Sequence, residues 1–453
     1  MKKVKRRTYS ILGLILATFL FMTVFLFRLA ADGEDWATFP SNLNVYYEGN
    51  LAVGSIYDRN ELPLAVPGDR GLVFSPDPAI RQGSFHVVGD RRGHVSTGML
   101  NAYAGELVSY NLLTGTYTFS GQGNTIRLTI DADLNRVAMQ ALAGRRGAVV
   151  VMNYETGEIL VSVSGPSYDP INPPAFALDD PAFEGVYINR VFSAAFVPGS
   201  VFKVITAAAA MDTFADAMNR EYVCIGYVMV DGNRVTCMGN HGRINLAQAM
   251  GFSCNPYFAQ LALDLGGPVL YRYMERFGLV STHELGDISI AAGNFAAGEP
   301  GSAALAWSGV GQSENLLNPL SMARFMGAIA RGGTPVEPRL VESISSGFLP
   351  TFGARTAVGE PILQASVANE LAALLRDTAT HYYPGAFPGL PVAGKTGTAE
   401  VGEGRMPHAW FVGFLDDPQN PLAFVVVVEN SGFGLPVATS VANAVLQAAV
   451  AGN

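Results

Sequence analysis

Lysine is almost absent from this chain of 453 residues. Of its 29 Lys and Arg residues only five are lysines, and Lys2, Lys3 and Lys5 lie within the first seven positions. Arginine supplies nearly all the remaining positive charge. Arginine stays protonated in proteins, whereas a buried lysine can lose its proton. Lys203 and Lys395 are therefore the two positions beyond the N-terminus where the chain keeps an amine that can act as a base.

Charged residues are also few, at 15% of the chain, whereas 49% of the residues are hydrophobic. This composition excludes a disordered chain and allows two or three domains with large cores. Without the five basic residues of positions 1–7, the net charge falls from −9 to −14, which argues against nucleic acid as a partner. The six histidines show no spacing typical of metal ligands, so neither a metal site nor a cofactor is expected.

Only three cysteines are present. Cys224 and Cys237 flank a segment whose centre, Asp231–Asn233, is a turn signal between two β-rich arms, so the sequence predicts a hairpin. Outside the membrane the two thiols can form a disulfide, and they can equally remain as two small buried thiols. The sequence leaves both alternatives open, and Cys254 is left over in either case.

A long uncharged run follows the basic N-terminus. Thr8–Phe27 contains 20 residues without a charge, enough to span a bilayer at about 1.5 Å per residue. The basic residues before it favour a cytoplasmic N-terminus and an external body. A cleaved signal peptide is the alternative, but the run is too long and no clean cleavage site follows. We therefore expect a cytoplasmic tail over residues 1–7 and an uncleaved transmembrane anchor over residues 8–30.

Strand patterns lie at both ends of the remaining chain, with helical patterns between them. Residues 31–124 are Gly-rich with short strand segments, and are predicted to form a small β-rich pedestal domain. From residue 125 a strand, an Asp-capped helix and a hairpin follow, and three further strands and a helix end the chain. We predict an α+β domain over residues 125–453, in which both ends of the chain complete an antiparallel sheet flanked by helices.

The first motif, Ser200-Val201-Phe202-Lys203, opens a helical pattern. With Ser200 as the predicted N-cap, Lys203 is the third helical residue and its amine can reach the serine hydroxyl. A capping box favours Glu or Gln there, and the helix dipole disfavours a cation by up to about 1 kcal/mol. The same field favours the neutral amine. Lys203 is therefore a candidate base beside a candidate nucleophile, although S-x-x-K alone is a weak signal.

The second motif is Ser253-Cys254-Asn255, followed by Pro256. Asn255 has two interpretations that the sequence leaves equal. It can be an N-cap with Pro256 at the first helical position. It can also be an amide donor and acceptor in a cleft, with Ser253 as a proton relay.

The third motif, Lys395 to Thr398, overlaps a nucleotide-binding pattern. Gly389–Thr396 matches G-x-x-x-x-G-K-[ST], but a loop precedes it and a Gly-rich turn and a strand follow, so no helix N-terminus is available for phosphate. In a strand, Lys395 and the hydroxyls of Thr396 and Thr398 can hold a carboxylate. Gly397 is predicted to let a substrate backbone approach closely.

The three motifs in this order resemble those of the penicilloyl serine transferases. Further segments resemble the class B penicillin-binding proteins, and the similarity covers nearly the whole chain after the anchor. These segments are GSIYDRNELPLA (54–65), GAVVVMNYETGEILVSVSGPSYDP (147–170), NRVFSAAFVPGSVFKV (189–204), GNHGRINLAQAMGFSCNPYF (239–258), GQSENLLNPLSMA (311–323) and GKTGTAE with HAWFVGF (394–414). The pedestal resembles that of small PbpA-like and elongasome-type members. Val201 replaces a usual Thr, and Glu61 replaces a usual Gly in the pedestal signature.

The resemblance implies a monofunctional D,D-transpeptidase of peptidoglycan synthesis with a penicillin-binding, β-lactamase-like fold and no cofactor. It assigns attack on the penultimate D-Ala carbonyl of a stem peptide to Ser200, and removal of the serine proton to Lys203. Ser253 relays a proton to the leaving D-Ala, while Asn255 fixes Lys203 and the substrate amide.

The resemblance also assigns the substrate contacts. Lys395, Thr396 and Thr398 hold the terminal carboxylate, and the N–H groups of Ser200 and Thr398 form the oxyanion hole. An acceptor amine from another strand resolves the acyl-enzyme, and β-lactams acylate the same serine.

Other functions remain open at this point. A D,D-carboxypeptidase or β-lactamase uses the same acylation with water as acceptor. A β-lactam sensor or a degenerate scaffold would not turn over stem peptides. The segment between anchor and catalytic domain is too short for a glycosyltransferase domain, so the resemblance implies a polytopic glycosyltransferase partner in the membrane. The sequence does not distinguish roles in elongation, division or sporulation.

Overall fold

The computed structural model describes residues 1–39, 42, 53–69, 71–116, 123–174, 180–346, 352–402 and 404–452. The strands are β1 (Ser55–Tyr57), β2 (Pro63–Gly68), β3 (Gly71–Phe74), β4 (Thr125–Leu128), β5 (Gly147–Asn153), β6 (Ile159–Gly165), β7 (Tyr222–Val230), β8 (Asn233–Ile244), β9 (His283–Leu285), β10 (Ile288–Ile290), β11 (Val341–Ser345), β12 (Phe352–Gly353), β13 (Val392–Ala399), β14 (His408–Leu415) and β15 (Leu422–Val428).

The helices lie between groups of these strands and at both ends of the chain. They are α1 (Lys2–Ala37), α2 (Pro78–Val88), α3 (Met99–Ala102), α4 (Ala104–Leu107), α5 (Ala132–Leu142), α6 (Phe202–Thr213), α7 (Leu246–Phe252), α8 (Asn255–Leu265), α9 (Gly267–Arg276), α10 (Ala303–Val310), α11 (Pro319–Ala330), α12 (Ala365–Tyr382) and α13 (Gly434–Ala451), with short 3₁₀ turns at Pro181–Phe183, Gly199–Val201 and Ala217–Asn219.

Both ends of the chain build the central sheet, as predicted. Its five strands run in the order β13-β14-β15-β5-β6, and every neighbouring pair is antiparallel. Strand β15 is buried at every position because both faces of the sheet are covered. Val425 and Val427 join the core on one face, and Phe424 and Val426 join the core on the other. This double burial explains why the strand reads as an unbroken apolar run instead of alternating.

A second sheet contains the pedestal strands. Its order is β12-β11-β4-β1-β2-β3, so β4 pairs with β1 of the N-terminal module, and β11 and β12 extend the sheet on the other side of β4. The sheet therefore crosses the predicted boundary between residues 124 and 125. The division into a pedestal and a catalytic domain stays a prediction.

Glu61 occupies a strained position in the turn between β1 and β2. Its φ is +64°, in the left-handed region where glycine is tolerated best. The Asp58 carboxylate closes this turn by accepting the N–H groups of Asn60 and Leu62. The geometry explains why a glycine is usual there in the family that the sequence resembles.

Helix α1 (Lys2–Ala37) is longer than the predicted anchor over residues 8–30 and continues beyond it at both ends. Within the described residues, α1 and α13 are the two helices long and apolar enough to cross a membrane. Helix α13 packs on the central sheet with one face buried, so it is a core helix. The apolar window of α1 is fully exposed, which fits a single-pass membrane anchor.

The predicted hairpin is present as β7 and β8. The strands pair from Val230 with Asn233 outward, and Asp231 and Gly232 both have positive φ in the turn. All cysteines of the chain are free thiols in this structure, so the disulfide alternative between Cys224 and Cys237 is not formed.

Candidate active site

Ser200 lies in a short 3₁₀ turn that leads into α6. The turn covers Gly199–Val201, and the α-helix begins at Phe202. The predicted N-cap at Ser200 is therefore wrong. The predicted spacing still brings the two side chains together, because the turn continues into the helix. Lys203 Nζ lies 3.0 Å from Ser200 Oγ.

Three glycines allow the chain to pack closely around this turn. Gly199 has φ +55°, and a Cβ there would lie 2.4 Å from the carbonyl oxygen of Thr398. A Cβ at Gly311 would lie 2.0 Å from the oxygen of Gly199. A Cβ at Gly397 would lie 2.9 Å from the oxygen of Pro198. The absent side chain of Gly397 thus leaves room for the serine turn, and the approach of a substrate backbone at Gly397 stays a prediction.

Lys203 is fully buried and surrounded by oxygen atoms. Its Nζ lies 2.6 Å from the Ser253 carbonyl oxygen, 3.1 Å from Ser253 Oγ and 2.7 Å from Asn255 Oδ1. Burial lowers the pKa of Lys203 well below its ordinary value, and the charge of Lys395 lowers it further. The site therefore favours a neutral amine beside the Ser200 hydroxyl.

Ser253 joins the two lysines. It adopts a left-handed conformation with φ +54° at the end of α7. Its Oγ lies 3.1 Å from the Nζ of Lys203 and 3.1 Å from the Nζ of Lys395. One hydroxyl thus connects the amine beside Ser200 with the amine on β13.

Asn255 is the first residue of α8, and its neighbour Cys254 occupies the N-cap. The interpretation of Asn255 as an N-cap is therefore wrong by one position. The amide oxygen accepts from Lys203, and Nδ2 donates to the Thr236 carbonyl oxygen of β8 at 2.9 Å. Asn255 links the buried lysine to the β7–β8 hairpin.

Lys395 is also fully buried. Besides Ser253, its Nζ contacts Tyr383 Oη at 3.3 Å and the Thr396 carbonyl oxygen at 3.1 Å. Burial lowers the pKa of Lys395 to about 7. Neither Lys395 nor Lys203 has a carboxylate partner in the parts of the chain that the structure describes.

Strand β13 carries the third motif along the side of the serine turn. The match to a nucleotide-binding loop is excluded, because Lys395 and Thr396 lie inside the strand Val392–Ala399 instead of opening a helix. The side chains of Thr396 and Thr398 are half-buried, whereas Lys395 and Gly397 are buried. Thr398 Oγ1 accepts the N–H of Gly434 at 3.3 Å.

Two residues that sequence reasoning missed support this geometry. Tyr383 Oη accepts from Thr396 N at 3.2 Å and Thr396 Oγ1 at 3.0 Å, besides the contact with Lys395. Trp410 is fully buried and donates its indole N–H to the Val197 carbonyl oxygen at 2.9 Å. Neither contact has a sequence signal, since each partner is brought in by the fold.

The comparisons with known proteins agree with this geometry. Residues 147–447 match the model of the penicillin binding protein transpeptidase domain. The chain belongs to the penicillin-binding protein transpeptidase family. This family includes peptidoglycan D,D-transpeptidase PbpA of Mycobacterium tuberculosis, which is 32% identical over 368 residues, or 73% of each chain.

Solved penicillin-binding proteins share the fold. Penicillin-binding protein A of M. tuberculosis, as its ceftriaxone acyl-enzyme complex, superposes with a TM-score of 0.78 at 28% identity, covering 89% of this chain and 99% of that one. The D,D-transpeptidase domain of a peptidoglycan glycosyltransferase from Eggerthella lenta gives 0.74 at 26% identity, covering 88% and 98%. The predicted α+β penicillin-binding fold is confirmed.

Proposed function

We propose that this chain is a serine D,D-transpeptidase that cross-links peptidoglycan stem peptides through an acyl-enzyme on Ser200. The observation that carries the proposal is the 3.0 Å approach of Ser200 Oγ to a fully buried lysine amine with neutral partners. A buried amine that favours the neutral form is suited to remove a serine proton. The relative in M. tuberculosis is named a D,D-transpeptidase, and its solved structures include acyl-enzymes with penicillin G and imipenem.

Acylation uses the residues around Lys203. Ser200 Oγ attacks the carbonyl carbon of the penultimate D-Ala, and its proton passes to Lys203 Nζ. The proton then moves through Ser253 Oγ to the nitrogen of the terminal D-Ala as the peptide bond breaks. Ser253 lies 3.1 Å from the Lys203 amine, which supports a relay through a single hydroxyl. Asn255 holds Lys203 in place by accepting from Nζ.

The substrate carboxylate and oxyanion are assigned to β13 and the serine turn. Protonated Lys395 and the hydroxyls of Thr396 and Thr398 hold the terminal carboxylate. The backbone N–H groups of Ser200 and Thr398 stabilise the oxyanion of the tetrahedral intermediate. An amine of a neighbouring stem peptide then attacks the ester, giving the cross-link and restoring the Ser200 hydroxyl.

Intact mass spectrometry after incubation with penicillin tests the acylation. We expect one drug mass added per chain, mapped to the peptide that contains Ser200, and no addition in Ser200→Ala. A stem pentapeptide with an added amine acceptor tests the transfer step. Cross-linked product in excess of hydrolysed peptide supports the transpeptidase, whereas release of D-Ala by water alone contradicts it.

Helix α1 is proposed as a single-pass anchor over residues 8–30, with residues 1–7 in the cytoplasm and the catalytic domain outside. The C-terminal end of α1 packs closely against residues of the proposed pedestal, which supports a rigid connection between the two. A Cβ at Gly33 would lie 2.3 Å from Tyr110 Oη, and one at Gly105 would lie 1.7 Å from Glu34 Oε1. Alkaline phosphatase fused to the C-terminus should be active and the N-terminal fusion inactive. The opposite pattern contradicts this topology.

We also propose a polytopic glycosyltransferase as the membrane partner, because the resemblance to class B penicillin-binding proteins implies one. The exposed apolar side chains of α1, among them Phe19 and Phe21, are the expected contact surface. A photo-crosslinker at Phe19 should capture a multispanning protein that polymerises glycan. Adducts with lipid alone contradict the assignment.

A further inference from the structure

All three cysteines of the chain meet one histidine beside the Ser253 loop. Cys224 lies on β7, and Cys237 and His241 lie on β8. Cys254 directly follows Ser253. The three sulfur atoms and the ligating nitrogen of His241 all lie within 4.8 Å of one another. Sequence spacing alone did not reveal this cluster, because the hairpin and the Ser253 loop are brought together by the fold.

The separations fit a tetrahedral metal centre. Cys237 Sγ and Cys254 Sγ are 4.0 Å apart. His241 Nδ1 lies 3.6 Å from Cys224 Sγ and 3.7 Å from Cys237 Sγ. A tetrahedral zinc ion with Zn–S bonds of about 2.3 Å and a Zn–N bond of about 2.0 Å places its ligands roughly 3.5–3.8 Å apart. Because every pair of ligand atoms lies within 4.8 Å, shifts of no more than about 1 Å would complete such a centre.

The surroundings of the sulfur atoms are also those of thiolate ligands. The N–H groups of Gly239 and Asn255 donate to Cys237 Sγ, and the N–H of Tyr257 donates to Cys254 Sγ. The ring of His241 stacks on Phe252 with 4.8 Å between centroids, which fixes the orientation of the imidazole. Such outer contacts hold metal ligands in position.

We propose that Cys224, Cys237, His241 and Cys254 bind one zinc ion in a closed tetrahedral site. Three thiolates and an imidazole form a Cys₃His set, which is typical of structural zinc and leaves no position open for substrate. Binding releases the three thiol protons to solvent and changes no oxidation state. The site is distinct from the serine and the two lysines.

The metal would brace the loop that carries Ser253 and Asn255. Strands β7 and β8 are largely exposed, and the amide of Asn255 already bonds to Thr236 of β8. A zinc ion shared between Cys254 and the hairpin ties both sides of this contact together. The metal site itself does not depend on the proposed function, and only the bracing role rests on it.

Metal analysis of the full chain in detergent tests the site. We expect protein purified with reductant and without chelator to contain one zinc ion per chain. After removal by a chelator, titration with CoCl₂ should give the thiolate charge-transfer and intense visible bands of tetrahedral cobalt, and ZnCl₂ should abolish them. Wild-type protein that binds neither metal, or that contains a Cys237–Cys254 disulfide without zinc, overturns the proposal.

Variants separate the ligands from other histidines. Cys224→Ser and His241→Ala should lower zinc affinity by at least about tenfold. His381→Ala is the matched control, because this histidine is exposed on α12 and pairs with Asp377. We expect its zinc affinity to be unchanged. Zinc binding that is equal in all three variants contradicts the ligand assignment, and circular dichroism confirms that each variant is folded.

Penicillin acylation of zinc-loaded and zinc-depleted wild-type protein tests the brace. Slower acylation and a lower melting temperature after depletion support it. Zinc that binds without changing either quantity refutes the brace while the metal site stands. Zinc-loaded protein that is never acylated at Ser200 refutes the proposed function instead.

Discussion

Two kinds of buried cation occur in different regions of this molecule. In the cleft, Lys203 and Lys395 are fully buried among hydroxyl, carbonyl and amide oxygens. Between α2 and the segment after β6, Arg81 is also buried, but it makes a two-pronged contact with the Asp169 carboxylate at 2.7 and 2.6 Å. The two regions therefore differ in whether the buried cation has a carboxylate partner.

The difference has opposite consequences for protonation. The Asp169 carboxylate raises the pKa of Arg81, and the guanidinium lowers the pKa of Asp169, so that pair stays charged. With neutral partners, burial lowers the pKa of Lys203 and of Lys395. Lys203 thus lies where losing a proton is useful, whereas Arg81 lies where the charge must persist.

The two lysines should fail differently when each is changed to arginine. Lys203→Arg removes the proposed base and should lower the penicillin acylation rate by about 10²- to 10⁴-fold. Lys395→Arg keeps a cation that can hold a carboxylate, so measurable acylation should remain. The second-order acylation rates of both variants, with their melting temperatures, measure this difference. Equal rates in the two variants would mean that Lys203 serves only as a charge.

Breaking the arginine pair should affect stability instead of chemistry. Arg81→Ala leaves Asp169 partly buried and unpaired, and should lower the free energy of unfolding by about 3 kcal/mol. The acylation rate per folded molecule should be unchanged. Arg136→Ala is the matched control, since its ion pair with Asp133 is exposed and is worth about 0–1 kcal/mol. Denaturant titration that gives equal losses for the two variants contradicts the comparison.

The sequence predicted the central sheet and the contact between Ser200 and Lys203, because these signals are local. Continuous apolar runs bounded by turn residues indicated the strands, and the three-residue spacing brought the two side chains together. The segment over residues 31–124 was predicted to be β-rich, but it also contains helix α2. Each predicted N-cap, Ser200 and Asn255, was wrong by one position, because a 3₁₀ turn and a left-handed serine shift the helix starts.

What the sequence did not predict depends on contacts between distant segments. Gly397 leaves room for a turn about 200 residues earlier in the chain, and no local pattern around Gly397 indicates this contact. Tyr383 reaches Lys395 only because α12 packs against β13. Cys254 meets His241 only because the hairpin folds onto α8. Such contacts follow from the topology of the fold and leave no local pattern in the sequence.

The pH dependence of acylation should reveal both lysines. The rate should fall at low pH as Lys203 gains the proton that blocks its role as base. Above the Lys395 pKa of about 7, the rate should fall again as the carboxylate-binding ammonium is lost, approaching about tenfold per pH unit. In Lys395→Arg the alkaline fall should vanish, because arginine stays charged. If the alkaline fall near pH 7 persists in this variant, the titration of a group other than Lys395 causes it.

The contact between Tyr383 and Lys395 tests how a single neutral hydrogen-bond partner affects the pKa of a buried lysine. The phenol oxygen accepts from the Lys395 amine, and this favours the ammonium form. In Tyr383→Phe the ring remains but the acceptor is lost, so the pKa of Lys395 should fall further. Hydrogen bonds to charged groups are worth about 1.5 kcal/mol or more, which corresponds to about one pH unit. The alkaline fall in the acylation rate should therefore begin about one unit lower, with little change well below pH 6. Tyr382→Phe is the matched control, because its ring packs edge-on against Phe252 and away from the lysine. An alkaline limb that is the same in both variants would show that Tyr383 only packs, and that Lys395 keeps its proton without it.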